Sequence, residues 1–488
     1  MTNSKVAVIG AGPSGLSAAK ALLEAGLEPT VFEAGDRIGG LWRQGQGYTW
    51  PGMRTNLSKW TCCFSDFPWP ESADDFPVGT AVEAYLNEFA DAFRLNRHVN
   101  LGMRVTNVAK HGQEWLVTDD AAGTQTFRGV VVAAGAFARP FLPKIPGIER
   151  FGGRFIHSAE YRGPTTTPRR VAVIGGSLSG IEIAAHLASN GISVVLCMSQ
   201  PAWILPRFMS LGPGAKTAPL DLMLYRRRQA SPDEPELSLA DQYRKTASFL
   251  EDSFGNPGAA HPALRMAVDG NPPFVAISDE FLTFVRNGAI TPCAGRLHEI
   301  KSNGIVLDNE QSYIVDEIIY CTGYNVDLSF LSDEVRKCIE YDSNDKLLAF
   351  ISDRTVRHPA LDGLSFCGLY RGPYFGVIEL QARWAAMLMA GDAPAPDRAE
   401  SEKRLANERA IRARRPRPQF PHGDYVNFAD SIAAEIGVLP QHELEDSELN
   451  DALRTGPVTP AQYRLQGPGA KRELATAAIL SAASRVQP

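Results

Sequence analysis

The stretch VAVIGGSLSG, Val171–Gly180, repeats with small changes one met near the start of the chain, VAVIGAGPSG, Val6–Gly15. Each copy is a short apolar strand that runs into a glycine turn. A helical pattern that stops at glycine follows each: GLSAAKALLEAG (15–26) and GIEIAAHLASNG (180–191). A second strand comes next, EPTVFEAG (28–35) and ISVVLCM (192–198). One strand–helix–strand unit is thus built twice, and two occurrences mean a duplicated fold rather than a solenoid.

The turns carry the chemistry. Gly10, Gly12 and Gly15 form G-x-G-x-x-G between strand and helix, with Pro13 and Ser14 opening the helix. The first glycine allows a tight turn and the second a close approach to pyrophosphate. The third lets helix pack on strand, and the helix N-terminus meets the anion. Glu33 ends the second strand, where an acid accepts ribose hydroxyls. DRIGGLWRQG (36–45) adds backbone amides at Gly39 and Gly40, and Trp42 is placed to cover a cofactor or fill core. This extension favours FAD over NAD in the first site. The second unit reads Gly175-x-Ser177-x-x-Gly180, with serine small enough for the middle position. Two dinucleotide sites in one chain imply that a nicotinamide nucleotide reduces a flavin. Cys62 and Cys63 are adjacent, an unsuitable redox dithiol, which leaves oxygen, a quinone or a protein as electron acceptor.

The 488 residues exceed one ordinary core. The expected architecture is α/β: two Rossmann-like domains, with the NAD(P)H domain inserted into the FAD domain. FRGVVVAAGAFARP (127–140) and VDEIIYCTGYN (315–325) each read as a buried strand closing on a glycine turn. The boundaries drawn from this are 1–165 for the first part of the FAD domain, 166–314 for the NAD(P)H domain, and 315–488 for the rest of the FAD domain with a helical tail. Residues 208–272 read as an irregular insertion, a surface excursion or a lid.

A net charge of −6 argues against nucleic acid as partner. YRRRQ (225–229) reads as a solvated helix face. No apolar run is long enough for a membrane span, and the first strand starts too soon after Met1 for a signal peptide. LATAAILSAA (474–483) reads as a terminal helix. Seven scattered cysteines do not form a secreted disulfide framework, so the cytoplasm is expected.

FGGRFIHSAEY (151–161) fits F-x-G-x-x-x-H-x-x-x-[YF] through Phe151, Gly153, His157 and Tyr161. With MRTNLSKWTCCFSDFPWP (53–70), CTGYNVDLSFL (321–331) and FGVIELQARWAAMLMAG (375–391), the chain resembles the flavin-containing monooxygenase family. The resemblance implies FAD and NADPH as cofactors and a small organic molecule and dioxygen as substrates. It implies oxygen addition at flavin C4a, and transfer of the distal oxygen of that hydroperoxide to a nitrogen or sulfur atom. It makes Asn56 the catalytic residue, touching both flavin and nicotinamide nucleotide. Thr55 and the turn from Ser179 to Glu182 would contact the nucleotide, while Gly40, Leu41, Trp42, Leu57 and Val105 would line FAD. Gln381 is placed near the flavin, His157 has a structural role, and a homodimer is a family-level expectation. No metal site is assigned. The alternatives are Baeyer–Villiger oxygenation of a ketone, against which Tyr161-Arg162 speaks, and an NAD(P)H oxidase or reductase.

One departure concerns the nucleotide. After ISVVLCM the family places an arginine for the NADPH 2′-phosphate, whereas this chain reads Ser199, Gln200, Pro201. Neutral donors bind phosphate less strongly than a guanidinium. No acid repels the phosphate either, so NADH is admitted beside NADPH. Arg207 or Arg226–Arg228 would supply the contact if the insertion folded back.

Overall fold

The computed structural model describes residues 4–487 apart from 122, 166–169, 213–215, 228–236, 373 and 442–445. Lys5–Ile9, apolar after its first residue, lies at the centre of a five-stranded parallel sheet. The order is Leu364–Phe366, Gly129–Val132, Lys5–Ile9, Glu28–Glu33, Val99–Leu101. The second sheet has the same plan: Arg154–His157, Glu317–Tyr320, Arg170–Ile174, Ser193–Met198, Ile290–Ala294. The duplication read from ten residues extends to all five strand positions. The helices Pro13–Glu24 and Leu178–Ser189 pack on the sheets as the sequence pattern predicts.

The drawn boundaries need correction. Glu317–Tyr320, assigned to the returning FAD domain, pairs along Arg170–Ile174 with Val171 opposite Glu317 and Ile174 opposite Tyr320. It buries all four residues there and stands to the second unit as Gly129–Val132 stands to the first. Arg154–His157, assigned to the first domain, is the outer strand beside it. The chain re-enters the first sheet only at Leu364–Phe366. An apolar strand must be covered on both faces, and only the three-dimensional position shows which sheet offers the edge that it joins.

The family signature follows the same logic. A Cβ on Gly153 would lie 2.1 Å from the Asp316 carbonyl oxygen. His157 Nδ1 accepts from the Ala159 N–H at 3.1 Å, so Nε2 carries the proton and donates to the Gly323 carbonyl at 3.1 Å. Burial lowers its pKa further. Tyr161 bonds His186 and packs edge-on against Trp50 of the first domain.

The described part of the insertion is structured and docked, against the expectation of an irregular excursion. Phe208–Ser210 pairs antiparallel with Thr217–Pro219, Leu220–Leu224 and Leu239–Phe254 are helices, and the flanking strands Trp203–Leu205 and Val275–Ile277 pair with each other. The YRRRQ reading is also corrected: Arg227 forks onto Asp430 with two bonds of 2.8 Å, and Tyr225 packs on Tyr374 and Tyr425. Arg228 and Gln229 lie outside the described residues. The C-terminal segment docks through buried Arg464, which reaches Ser65 at 2.9 Å and Glu379 at 2.7 Å. Among the described residues no helix is long and apolar enough to cross a membrane.

A candidate active site between two glycine turns

Both turns have the geometry of a dinucleotide cradle. Gly10 has φ +103° and Gly175 φ +119°, and a Cβ would lie 2.6 Å from the Ala133 oxygen at one and 2.4 Å from the Cys321 oxygen at the other. At Gly15 and Gly180 a Cβ would come within 1.7 Å of the Gly10 and Gly175 oxygens. The helices that begin at Pro13 and Leu178 have no side-chain cap, so their first-turn N–H groups remain available to an anion. Glu33 accepts from the Ala11 N–H at 2.8 Å and the Gly35 N–H at 2.7 Å, fixing its carboxylate beside the first turn. The Gly39 N–H donates to the Ala11 oxygen at 2.9 Å and lays Gly40 over Gly12. Pro13 opens the helix, and Ser14 is buried against Gly368. These residues fit a dinucleotide such as FAD.

The loop that carries Asn56 is held at two points from the second domain side. Arg207, 5% exposed, donates through Nε to the Thr55 carbonyl at 3.0 Å and through Nη2 to Asn56 Oδ1 at 3.4 Å. It also pairs with Glu182 at 2.8 Å and Asp279 at 3.0 Å. Burial disfavours its charge, but Glu182 and then Asp279 hold its pKa above the ordinary value. At the second point, buried Asp221 accepts from the Ser58 N–H at 2.9 Å, from Ser58 Oγ at 2.8 Å and from Thr61 Oγ1. Burial raises the Asp221 pKa, against the opposing hydrogen bonds from Thr61 and Ser58. A guanidinium only donates, so the Asn56 carboxamide oxygen faces Arg207 and its NH2 is turned away as a donor. Thr55 Oγ1 is buried without a hydrogen-bond partner among the described residues, an acceptor and donor left for a ligand.

Other expectations change in detail. Arg207 does not sit free for a 2′-phosphate, because its donors are taken by the loop and two carboxylates; Arg227 is committed to Asp430. Gln381 is fully buried: its oxygen accepts from the Gly368 N–H at 2.9 Å, and its NH2 donates to Arg354 O at 3.0 Å and Thr355 Oγ1 at 2.6 Å. Its amide is fully used, so it positions the 368 loop instead of lining a flavin with its side chain. Val105 packs in the core with Ala7, Ile9 and Phe32, leaving only its backbone for a ligand. Leu41 is half-buried, and half-buried Trp42 and Leu57 flank the core beside the first turn. Ser177, Ser199 and Gln200 are exposed, and Ser179 is half-buried in the first turn of its helix.

Three residues escaped sequence reasoning. Asp221 sits in the insertion and Asp279 just beyond it, neither with a spacing signal. Gln419, far along the chain, donates to Ser177 Oγ at 3.1 Å and grips the Val275 backbone at 2.9 and 3.1 Å. The one available hint was an acid inside the apolar run PLDLML (219–224).

Two uncapped nucleotide turns, with an amide-bearing loop held between their domains, define a flavoprotein oxidoreductase with two dinucleotide sites. The sequence profile of the flavin-binding monooxygenase-like family matches residues 3–488. Flavin-containing monooxygenase 5 of Rattus norvegicus is 31% identical over 495 residues, covering 96% of this chain and 90% of the relative. The Homo sapiens protein of the same name is 30% identical, covering 100% and 93%. Among solved structures, S-allyl-L-cysteine S-oxygenase from Allium sativum superposes with TM-score 0.62 at 22% identity, over 89% of this chain and 88% of that one. The open structure of cyclohexanone monooxygenase superposes at 0.64 with 18% identity, over 88% and 97%; likenesses at this level concern the fold. The chain belongs to the flavin-binding monooxygenase-like family. It is an NAD(P)H-dependent flavin monooxygenase, with FAD and NADPH as that family's cofactors.

Proposed function

We propose that the chain oxygenates a nitrogen or sulfur atom of a small organic substrate, with Asn56 as the catalytic donor. The observation that carries this is the fixed Asn56 carboxamide: Arg207 takes its oxygen, so the NH2 is presented in one orientation. Bound FAD, reduced by NAD(P)H, supplies the activation of dioxygen. Gly10, Gly12, Pro13, Ser14 and Gly15 would hold its pyrophosphate, Glu33 its ribose, and Gly40, Leu41, Trp42 and Leu57 its flanks. Gly175, Ser177, Ser179 and Gly180 would hold the nicotinamide nucleotide, with Thr55 Oγ1 facing it. Trp42 and Leu57, packed on the core, limit water around the loop. One relative from Cavia porcellus bears the name dimethylaniline monooxygenase [N-oxide-forming] 2, which supports nitrogen as an acceptor.

The test follows NADPH consumption with N,N-dimethylaniline and with methyl phenyl sulfide, counting N-oxide, sulfoxide and hydrogen peroxide. Product that matches NADPH supports the reading. Peroxide alone supports the oxidase alternative, and an ester from a ketone supports the Baeyer–Villiger one. Asn56→Ala is expected to keep FAD and lower product formation by about 10²-fold or more, the usual effect of removing one preorganised donor; unchanged product formation would remove Asn56 from the mechanism.

Exposed Ser199 and Gln200 support a weak hold on the 2′-phosphate and hence use of NADH as well as NADPH. Gln200→Arg is expected to raise the NADPH-over-NADH preference roughly tenfold or more, as a charged hydrogen bond replaces a neutral one. Steady-state kcat/KM with each nucleotide measures it, and an unchanged ratio means that the phosphate is held elsewhere.

A cytoplasmic location and a homodimer belong to the same reading. All seven cysteines are free, six of them buried, which suits a reducing compartment. Light scattering on the purified holoenzyme tests the dimer.

A further inference from the structure

Lys346 and Arg371 stand where the two domains meet. Lys346 Nζ lies 3.2 Å from the Phe141 ring centroid and donates to the Thr322 carbonyl at 3.3 Å, at the carboxyl end of the second sheet. The Arg371 guanidinium lies 5.8 Å from the Phe137 ring, just past the carboxyl end of Gly129–Val132 in the first sheet. Phe137 in turn packs edge-on against Tyr324, at 5.7 Å. In open α/β sheets this crevice, beyond the carboxyl ends of the strands, is where ligands bind.

Neither cation has an acidic partner among the described residues. Asp345, next to Lys346 in sequence, turns instead to Arg417, with both oxygens at 2.8 Å. Arg371 Nε is buried and makes no hydrogen bond. Burial, and then the charge of Arg371, lower the Lys346 pKa to about 8, and burial also lowers that of Arg371. Two cations that repel each other, set among aromatic rings without a counter-charge, are a destabilising arrangement unless an anion joins them.

We propose that Arg371 and Lys346 bind the carboxylate of the acceptor molecule, so that the enzyme prefers acidic thioethers or amines over neutral ones. This rests on the monooxygenase reading given above. The nucleotides have their own provisions: each pyrophosphate has an uncapped helix N-terminus. The 2′-phosphate belongs beside Ser199, which follows Ser193–Met198. Thr322 follows Glu317–Tyr320, and these two strands flank Arg170–Ile174 on opposite sides. That separates the two places by about 10 Å. Arg371 lies in sequence between Gly368, which packs against Ser14, and Tyr374, which packs edge-on against Tyr225 of the insertion. Arg371 is therefore a specificity-determining residue on a loop that Gln381 anchors.

The experiment compares 4-(methylsulfanyl)benzoate with methyl phenyl sulfide, two thioethers that differ by the carboxylate. It uses the holoenzyme as wild type, Arg371→Gln, Arg371→Lys and Lys346→Gln. FAD content, melting temperature and the KM for NADPH are recorded for each. The wild type is expected to favour the benzoate in kcat/KM, and Arg371→Gln to lower that preference roughly tenfold or more, the effect of losing a charged hydrogen bond. Arg371→Lys is expected to restore part of it and Lys346→Gln to lower it in the same direction, with FAD content and the NADPH KM within twofold. Equal loss with both thioethers overturns the proposal. A raised NADPH KM or lost FAD also overturns it, because the oxyanion is then a nucleotide's. If the wild type oxygenates neither thioether, the monooxygenase reading fails and the proposal with it. A wild type that oxygenates both equally, with an unmoved ratio in the variants, overturns the proposal alone.

Discussion

Arg207→Met is expected to uncouple the enzyme: NADPH is still consumed, but at least tenfold less of it ends in oxygenated product, and hydrogen peroxide makes up the difference. Methionine keeps much of the volume and removes every donor. The Thr55 carbonyl, the Asn56 carboxamide, Glu182 and Asp279 then lose the group that joins them. Asn56 becomes free to rotate, and a donor that is not preorganised gives little stabilisation. Stability should fall too, by about 3 kcal/mol, the lower range for removing one partner of a buried ion pair, since Asp279 is partly solvated. Arg207→Lys is expected to recover part of the melting temperature and little of the coupling, because an ammonium cannot span four acceptors as a planar fork does. Product yield per NADPH, peroxide yield and thermal unfolding of the holoenzyme give the three readouts. Full coupling in Arg207→Met would show that Asn56 needs no such support.

Gly12→Ala is expected to fold and to lose FAD. Gly12 has φ −77°, which alanine adopts, and its Cβ would meet the Gly40 Cα at 3.4 Å and the Gly40 nitrogen at 3.8 Å, both ordinary contacts. The folded chain therefore has room for the methyl group, while the space above the helix N-terminus that a pyrophosphate needs is lost. Gly15→Ala is the contrasting variant: its Cβ would come within 1.7 Å of the Gly10 oxygen, so helix and strand cannot pack and the chain is expected not to fold. Flavin absorbance per chain after gel filtration, with circular dichroism, separates the two effects. A yellow Gly12→Ala protein would move the FAD site away from this turn.

Much of the candidate site was legible in the sequence, because each glycine is dictated by backbone that this fold unit always brings to its turn. Gly10, Gly15, Gly175 and Gly180 answer to carbonyl oxygens of their own turn or of the adjoining strand, and those distances recur wherever this strand–helix unit is built. The same holds for Glu33, whose partners Ala11 and Gly35 lie within the unit. Gln381, expected near the flavin, spends its side-chain amide on three partners from residues 354–368, which its own neighbours in sequence do not announce.

By itself, then, the sequence determined two strand–helix–strand units, their nucleotide turns and the family to which they belong. These depend on local periodicity and on residues a few positions apart. The tertiary structure alone decided that Glu317–Tyr320 and Arg154–His157 complete the second sheet and that Leu364–Phe366 completes the first. It alone set Arg207, at the edge of the insertion, and Asp221 within it on the Asn56 loop, 151 residues or more away in sequence, and left Arg371 and Lys346 without an acid among the described residues. The physical reason is the same in each case. Apolar strands fit any sheet with a free edge, and a buried charge is defined by which partners reach it, and neither property is written in the neighbouring residues.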